Sequence, residues 1–259
     1  MPFADLTDVR IHYSFTGPAS APALVFSNSL GANFSMWNPQ FTALSSRYRL
    51  LRYDTRGHGQ SSAPPGPYSI ELLANDVLHL LDALNLGRVN FCGLSMGGQT
   101  GIWLGLNASE RLQKLILCNT GAKIGTPELW NARIDAVLAR GIADVSAAVV
   151  GRWFTPDFAL QHADVIASTK AMIESANPQG YASCCAALRD FDARETVSSI
   201  ALPTLVIAGS HDLATPPADG RFIADKISGA RYVELHAAHL SNIEAEPRFT
   251  PEVENFLIA

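Results

Sequence analysis

Cysteine is scarce in this sequence, and its spacing argues against a disulfide framework or a metal clip. Four cysteines occur in 259 residues, and no two of them form a Cys-x-x-Cys pair. Cys92 and Cys118 lie in apolar runs typical of buried strands, whereas Cys184 and Cys185 are adjacent. We therefore predict reduced thiols, no bound metal and a cytoplasmic protein, because reduced thiols are typical of that compartment.

Positive charge and long apolar segments are also scarce. The net charge of −5 argues against a nucleic-acid-binding surface. No uninterrupted apolar segment reaches the length of a membrane-spanning helix, and residues 1–5 lack the basic start of a secretion signal. We therefore predict no nucleic-acid partner and no membrane association. Hydrophobic residues make up 47% of the chain, which is enough for a substantial core.

Strand and helix patterns alternate over most of the chain. Short apolar runs typical of strands occur at 23–26, 49–53, 89–92, 114–118, 204–208 and 231–235, and an exposed-strand alternation occurs at 9–15. Helical periodicity separates many of them, as at 70–84, with Ser69 predicted as its N-cap and Gly87 as its stop. Thr250 followed by Pro251 predicts the start of the last helix. This alternation predicts a parallel sheet with helices on both faces.

The alternation is interrupted between residues 123 and 195. Helix-like patterns occur there at 128–139, 145–154, 164–175 and 180–191, without a convincing strand. The segment is rich in Ala, Val and aromatic residues and has no low-complexity bias. We therefore predict a core of residues 1–122 and 196–259, with residues 123–195 inserted as a helical cap.

The stretch 93–98 (Gly-Leu-Ser-Met-Gly-Gly) lies between a predicted strand and a predicted helix. A sharp turn between such elements projects a serine above the sheet, and the flanking glycines remove Cβ atoms that would clash. This context predicts Ser95 as a nucleophile, while the pattern alone also fits a Gly-Ser loop without chemistry. The N–H of Met96, at the start of the helix, is a candidate donor to a developing oxyanion.

A serine nucleophile needs a base, and the base needs an acid that orients it. Asp212 follows the strand at 204–208, where open α/β sheets place their active-site loops, although it could also be a solvated loop residue. Of seven histidines, His236 ends a strand, His58 suits a structural turn, and His239 lies in the loop before the last helix. The loop position favours His239 as the base.

The order Ser95, Asp212, His239 is the order of the α/β-hydrolases. Together with the stretches 54–61 (Asp-Thr-Arg-Gly-His-Gly-Gln-Ser), 209–212 and 238–240, the chain resembles that superfamily over nearly its whole length. The resemblance implies a mostly parallel eight-stranded sheet with helices on both faces and a helical cap inserted after the sixth strand. It also implies that the N–H of Leu30 is the second oxyanion donor.

A closer resemblance is to the 3-oxoadipate enol-lactone hydrolases. It rests on the stretch 28–31 (Asn-Ser-Leu-Gly), on Met36-Trp37 and on residues 53–59, while Ala238 stands where many relatives have glycine. The resemblance implies a cytoplasmic serine hydrolase that opens a small anionic lactone to 3-oxoadipate in the β-ketoadipate pathway of bacterial aromatic catabolism. It implies no cofactor.

The carboxylate of such a substrate would need donors in the pocket, because an unpaired buried charge is costly. Trp130 and Arg133 are three residues apart in a predicted helix, so they share a face and form a candidate carboxylate clamp. The alternative is a core tryptophan beside a solvated arginine. Trp153 is predicted as part of the apolar wall or of the cap core.

Two other functions remain open from the residues. One is a general carboxylesterase or a carbon–carbon bond hydrolase acting on ring-cleavage products, since both use the same three catalytic residues. The other is a non-catalytic small-molecule receptor on the same fold. The complete set of Ser95, Asp212 and His239 favours turnover over binding alone.

Overall fold

Eight strands form one sheet in the computed structural model, which describes residues 2–259. The strands are β1 (Phe3–Asp5), β2 (Arg10–Thr16), β3 (Ala23–Ser27), β4 (Arg49–Tyr53), β5 (Val89–Leu94), β6 (Leu112–Cys118), β7 (Thr204–Gly209) and β8 (Arg231–Leu235). Their spatial order is β1-β2-β4-β3-β5-β6-β7-β8. β1 and β2 are antiparallel to each other and β2 is antiparallel to β4, while all other neighbours are parallel.

Eleven α-helices accompany the sheet within the described part of the chain. They are α1 (Asn38–Leu44), α2 (Ile70–Ala83), α3 (Met96–Asn107), α4 (Pro127–Arg140), α5 (Ala143–Val150), α6 (Pro156–Gln161), α7 (Ala163–Glu174), α8 (Pro178–Asp190), α9 (Pro217–Lys226), α10 (Ser241–Glu244) and α11 (Glu246–Ile258). The predicted fold class, a mostly parallel eight-stranded sheet surrounded by helices, is confirmed. Within residues 2–259, no helix has both the length and the apolar character that crossing a membrane requires.

The sheet is buried on both faces, which explains its continuous apolar strands. In β3, the alternate residues Leu24 and Phe26 belong to one buried cluster, together with Leu44 of α1 and residues of α11. The intervening Val25 belongs to a second cluster, with Val77 of α2 and residues of α3 and α9. Successive side chains in a strand point to opposite faces, so each apolar run serves two cores at once.

The predicted start of α2 is confirmed, because Leu72 N donates a hydrogen bond to Ser69 Oγ at 3.1 Å. The predicted end of α2 and the predicted start of α11 are both wrong. α2 ends at Ala83, well before Gly87, because Asn85 takes the left-handed backbone conformation, with φ of 52°. α11 begins at Glu246, with Pro247 in its first turn, so Pro251 lies inside the helix. Proline is favoured in the first turn of a helix, so Pro247 and Pro251 both fit the pattern, and the helix begins beside the earlier one.

Five helices, α4 to α8, lie between β6 and β7. The sequence predicted one helix over 145–154, but α5 stops at Val150 and a further short helix, α6, follows. Thr155 begins α6, since its Oγ1 accepts a hydrogen bond from Phe158 N at 3.4 Å and Pro156 occupies the first turn. The division of the chain into a core and a cap at 123 and 195 stays a prediction.

The carboxyl ends of the parallel strands bring the candidate site residues to one edge of the sheet. β3, β5, β7 and β8 run in the same direction, and each is followed by a loop that contains one of the candidates. The candidates in those loops are Leu30, Ser95, Asp212 and His239. Residues more than 100 positions apart in sequence therefore share one edge, as the rule for open α/β sheets predicts.

Candidate active site

Ser95 occupies a strained turn between β5 and α3. Its backbone has φ of 59° and ψ of −114°, an arrangement that side-chain-bearing residues rarely adopt. Two contacts hold it there: Ser95 N donates to Cys118 O at 3.0 Å, and Thr120 Oγ1 donates to Ser95 O at 2.7 Å. Both partners belong to the end of β6 and its loop, so the neighbouring strand stabilises the turn.

The glycines around Ser95 are required by close backbone approach. A Cβ atom on Gly93 would lie 2.1 Å from Gly97 O, and one on Gly97 would lie 2.3 Å from Ser27 O. Neither neighbour could move without shifting main chain in the centre of the sheet. The lack of space for a Cβ atom therefore explains why glycine occupies these two positions of the turn.

Asp212 and His239 are joined by a hydrogen bond of 2.8 Å between Oδ2 and Nδ1, and both side chains are buried. Asp212 Oδ1 accepts from the backbone N–H of Ala214 at 2.8 Å and of Thr215 at 3.0 Å. Its Oδ2 also accepts from Thr215 Oγ1 at 2.6 Å and from Asn119 Nδ2 at 3.0 Å. The carboxylate is thus fixed by five donors from three loops.

These contacts keep Asp212 ionised. Burial alone would raise the pKa of its carboxyl group, but the positive charge that His239 can carry, and the hydrogen bonds from His239 and Thr215, lower that pKa to about 2. A carboxylate only accepts hydrogen bonds, so Nδ1 of His239 carries a proton. Nε2 is then the ring nitrogen that can accept a proton.

Ser29 Oγ lies 3.4 Å from His239 Nε2. Within residues 2–259, the structure contains no hydrogen bond between Ser95 Oγ and Nε2, although both residues line the same cavity. The three predicted residues are therefore brought together, with the Asp212–His239 pair aligned and the Ser95 hydroxyl not yet bonded to the ring. Looser contacts of this kind are common where no substrate is bound.

Hydrogen bonds between neighbouring residues join the loop that contains Leu30 to the turn that contains Met96. Gly97 N donates to Asn28 O at 3.0 Å, which ties the first turn of α3 to the loop after β3. Asn28 Nδ2 donates to Tyr53 O at 2.8 Å and fixes the same loop from the other side. In the part of the chain that the structure describes, neither the Leu30 N–H nor the Met96 N–H has an acceptor. Both are free to donate to a ligand.

A cavity of about 260 Å³ lies between this edge of the sheet and helices α4, α5 and α8. Ser95, His239, Trp130, Arg133 and Trp153 all line it. The ring of Trp153 is buried and its centroid is 6.0 Å from that of His239. Residues 2–259 contain no cluster of three or more histidine, cysteine or acidic side chains that could hold a metal ion.

The indole of Trp130 does not fit the predicted clamp. Its Nε1 donates to Ile124 O at 2.7 Å, so this N–H is already used inside the protein. The guanidinium of Arg133 lies over the indole ring, with Cζ 5.3 Å from the centroid. The prediction that Trp130 donates to the substrate is therefore wrong, because the carbonyl of Ile124 satisfies it. Trp130 instead forms the surface against which Arg133 packs.

Arg133 is accompanied in the cavity by Arg152 and Tyr181. Burial and the positive charge of Arg133 lower the pKa of Arg152, and burial raises the pKa of Tyr181 to about 12. Tyr181 Oη is buried without a hydrogen-bond partner, and neither arginine forms an ion pair within residues 2–259. The other arginines between β6 and β7, Arg140, Arg189 and Arg194, pair with Asp144, Asp190 and Asp192.

The chain matches a known family over most of its length. Residues 22–246 match the family described as the alpha/beta hydrolase fold. The chain belongs to this family. The resemblance drawn from the sequence motifs is therefore confirmed, and so is the prediction that the protein is a hydrolase of this fold.

Two curated proteins are similar to this α/β hydrolase in sequence, and one solved structure is similar to it in both sequence and shape. The chain is 42% identical over 247 residues to 3-oxoadipate enol-lactonase 2 of Acinetobacter baylyi, covering 95% of this chain and 92% of that protein. It is 44% identical to 3-oxoadipate enol-lactonase 1 of the same organism, covering 93% and 90%. The superposition on the crystal structure of the enol-lactonase from Burkholderia xenovorans LB400 covers 100% of each chain, with 47% identity and a TM-score of 0.98.

Sequence reasoning missed several polar residues of this α/β hydrolase's site. Asn119 directly follows β6 at the same sheet edge, so the carboxyl-end rule could have identified it. Thr215 is three residues after Asp212, a spacing at which a hydroxyl often bonds an aspartate in a turn. Tyr181 had no local signal, because only the packing of α8 brings it to the cavity.

Proposed function

We propose that this α/β hydrolase converts 3-oxoadipate enol-lactone to 3-oxoadipate in the β-ketoadipate pathway of bacterial aromatic catabolism. The observation that carries the proposal is one cavity containing Ser95, His239 and two arginines without carboxylate partners. A small anionic ester is the substrate class that such a cavity suits. The similarity to enol-lactonases of about the same length supports the lactone as the specific substrate.

Ser95 is the proposed nucleophile and His239 the proposed base. A rotation of the serine side chain brings Oγ to Nε2, which takes the hydroxyl proton as Oγ bonds to the lactone carbonyl carbon. The carbonyl π electrons move onto oxygen. Asp212 stays ionised and stabilises the imidazolium that forms, as its low pKa allows.

The N–H groups of Leu30 and Met96 are the proposed oxyanion donors. They would donate to the oxygen of the tetrahedral intermediate, and each donor of this kind contributes on the order of 3–4 kcal/mol in the transition state. When the carbonyl re-forms, the ring C–O bond breaks and the ring oxygen takes the proton from His239. The resulting enol tautomerises to the ketone while the other end stays bound to Ser95 as an ester.

Water completes the reaction. His239 Nε2 takes a proton from a water molecule as the water oxygen bonds to the acyl carbon, and collapse of the second tetrahedral intermediate expels Ser95 Oγ. The serine oxygen takes the proton back from His239. The net change is addition of one water, and the product leaves as a keto dicarboxylate with release of one proton. No step uses a cofactor.

Arg133, Arg152 and Tyr181 are the proposed binding site for the substrate carboxylate. Two guanidinium groups near one another repel, and a carboxylate between them would remove that cost while accepting charge-assisted hydrogen bonds. The unpartnered Tyr181 hydroxyl supplies a neutral donor in the same wall. Asp219 also lines the cavity, but two arginines outweigh its single charge. Trp153 remains the proposed apolar wall beside His239.

The decisive experiment is the absorbance loss of freshly generated 3-oxoadipate enol-lactone, compared with its muconolactone isomer. We expect rapid loss with the enol-lactone and none with the isomer. Ser95→Ala should abolish turnover while leaving the circular dichroism spectrum unchanged. Substantial hydrolysis by this variant would overturn the assignment of the nucleophile.

Arginine variants test the carboxylate site separately from the chemistry. Arg133→Ala and Arg152→Ala should each raise KM for the enol-lactone by roughly 10- to 100-fold, the equivalent of one charge-assisted hydrogen bond. KM for the neutral ester p-nitrophenyl acetate should change little. Arg140→Ala is the matched control, because Arg140 is in α4 with Arg133 but pairs with Asp144 at the surface. Equal effects on both substrates would contradict the carboxylate site.

A substrate panel separates the alternatives. Faster turnover of aryl esters than of the enol-lactone would favour a general carboxylesterase, and turnover of a vinylogous diketone acid would favour a carbon–carbon bond hydrolase. Tight binding of the lactone without hydrolysis would favour a receptor. The two arginines of the cavity that lack carboxylate partners, Arg133 and Arg152, are the specific reason to favour the anionic lactone over these alternatives.

A further inference from the structure

The loop after β4 contacts the turn that carries the Leu30 N–H. Ala32 N donates to Ser29 O at 3.1 Å and closes a four-residue turn, whose third residue, Gly31, has φ of 83°. A positive φ at the third position is characteristic of a type II turn. The central peptide of this turn joins Leu30 to Gly31, and its N–H donates to His58 Nε2 at 2.9 Å.

His58 is held in one tautomer. The ring is 1% exposed, and its Nδ1 lies 3.3 Å from Arg56 O. A carbonyl oxygen only accepts, so Nδ1 carries the proton and Nε2 is left to accept from Gly31. Burial lowers the pKa of His58 and outweighs the opposing effects of the Arg56 carbonyl and the Asp54 charge. The ring is therefore neutral at ordinary pH, as an acceptor must be.

The surrounding packing leaves this arrangement little freedom. A Cβ atom on Gly57 would lie 2.6 Å from the Cα of Gly180, so the loop containing His58 is in direct contact with α8. A Cβ atom on Gly31 would lie 3.1 Å from Tyr181 Cε2, so the tip of the turn meets the same helix. The ring centroids of His58 and Tyr181 are 6.2 Å apart. Three segments distant in sequence therefore meet at His58.

We propose that His58 is a positioning residue for the turn that carries the oxyanion donor. By accepting from Gly31 N, it holds the central peptide of the turn and keeps the adjacent Leu30 N–H directed at the reacting carbonyl. This inference rests on the proposed function, because that function makes Leu30 a donor. Oxyanion donors accelerate a reaction because they are already oriented before charge develops. A displaced donor loses much of that effect.

The contribution of His58 is distinct from that of a packed aromatic ring. Rotation of the Leu30–Gly31 peptide converts a type II turn into a type I turn, in which the Gly31 N–H no longer faces the same partner. A phenylalanine at this position would fill the same space without accepting a hydrogen bond. A glutamine could present Oε1 near the position of Nε2 and restore an acceptor. These two substitutions separate packing from hydrogen bonding.

The experiment compares His58→Phe and His58→Gln with the wild-type protein on the enol-lactone and on p-nitrophenyl acetate. We expect His58→Phe to lower kcat by roughly 10- to 100-fold on both substrates with KM within about twofold. The affinity for phenylboronic acid, which forms a tetrahedral adduct with a reactive serine, should fall by the same factor. His58→Gln should recover at least about tenfold of the loss. His79→Phe, at an exposed position of α2, is the control.

A purely structural role would give different results. Titration with a fluorophosphonate counts intact sites, and an unchanged kcat per titrated site would overturn the proposal, as would a lower kcat with unchanged boronate affinity. If His58→Phe does not fold, nitrogen-15 NMR of the wild-type protein decides: a protonated Nε2 on His58 contradicts the proposal, and a protonated Nδ1 with a bare Nε2 supports it. If the wild type hydrolyses the ester but not the enol-lactone, the proposed substrate fails, while the His58 comparison stands on the ester.

Discussion

Asn119 joins the loop of the acid to the loop of the base. Its Nδ2 donates to Asp212 Oδ2 at 3.0 Å and to Ala238 O at 3.1 Å, while its Oδ1 accepts from Ser241 Oγ at 2.5 Å. The backbone of Asn119 has φ of 43°, a conformation that asparagine tolerates better than most residues. One amide therefore sets the distance between the segments that carry Asp212 and His239.

We predict that Asn119→Ala lowers kcat by roughly 10-fold with little change in KM. The substitution removes a donor from the acid and another from the loop before the base, at a cost of about 1–3 kcal/mol. Asn85→Ala is the control for backbone strain, because Asn85 also has a positive φ, of 52°, but is exposed and far from the site in the fold. Steady-state kinetics on p-nitrophenyl acetate measure both variants. An equal loss of kcat in Asn85→Ala would show that backbone strain, and not the lost hydrogen bonds of Asn119, causes the effect.

Thr215 provides a prediction about stability and pH. Its Oγ1 donates to Asp212, whose pKa is lowered to about 2 from an ordinary value of 3.8. A carboxyl group with a lowered pKa stabilises the fold above the ordinary value, and this stabilisation is lost as pH falls towards the folded-state pKa. Thr215→Val should therefore lower the free energy of unfolding by about 1–3 kcal/mol at pH 6, and by progressively less between about pH 4 and pH 2.

Urea denaturation at a series of pH values measures this difference. Thr204→Val is the control, because Thr204 is also buried but donates to the neutral carbonyl of Leu202 at 2.9 Å. Its effect should not depend on pH. A Thr215→Val effect that stays constant from pH 6 to pH 2 would show that the hydroxyl does not stabilise the ionised form of Asp212.

The sheet was predictable because its strands are buried on both faces. Such strands appear as continuous apolar runs, and β8 was bounded correctly at Arg231 and Leu235. β1 has only three residues, two of them exposed, and gave no comparable pattern. The start of α11 was predicted too late, at Thr250 and Pro251, because Pro247 also fits the preference for proline in a first turn and lies four residues earlier. Local rules identify which residues can begin a helix, and the tertiary structure decides which one does.

The loops that carry the site were also predictable, but most side-chain partners were not. Ser95, Asp212 and His239 could be placed at one sheet edge because parallel strands share a direction. The indole of Trp130 was assigned to the substrate because the course of the chain at Ile124 cannot be read from spacing. Hydrogen-bond partners across such distances depend on the packing of whole elements, which the local sequence does not specify.

Glu244 connects the inserted helices to the base loop. Its Oε2 accepts from Ala238 N at 2.8 Å, and its Oε1 accepts from Thr155 N at 3.1 Å and from Thr155 Oγ1. Leu240 N also donates to Trp153 O at 3.0 Å. The residues on both sides of His239 are therefore bonded to the segment between α5 and α6, so movement of that segment should affect the base.

We predict that Glu244→Ala lowers kcat by roughly 10-fold and speeds hydrogen–deuterium exchange at residues 153–158. Loss of the carboxylate leaves the N–H groups of Ala238 and Thr155 without their acceptor, which weakens the connection between the two segments. Glu246→Ala is the control, since its carboxylate makes no hydrogen bond within the described residues. Faster exchange with unchanged kcat would show that this segment moves independently of the base.

Ser29 provides the last prediction, which concerns the second half of the proposed reaction. Its Oγ is 3.4 Å from His239 Nε2, so a water molecule activated by Nε2 would lie within reach of both groups. Ser29→Ala should slow release of the acyl group by roughly 3- to 10-fold, the equivalent of one neutral hydrogen bond. Attack by Ser95 does not need this water and should be unaffected.

The kinetics of p-nitrophenyl acetate hydrolysis distinguish the two halves. Slower release should lower kcat and KM together, leave kcat/KM unchanged, and produce a burst of nitrophenol with an amplitude close to one per site. Ser29→Thr keeps a hydroxyl and should show a smaller burst than Ser29→Ala. A fall in kcat/KM without a burst would place Ser29 in the attack step, where its contact with Nε2 would orient His239 towards Ser95 and not towards water.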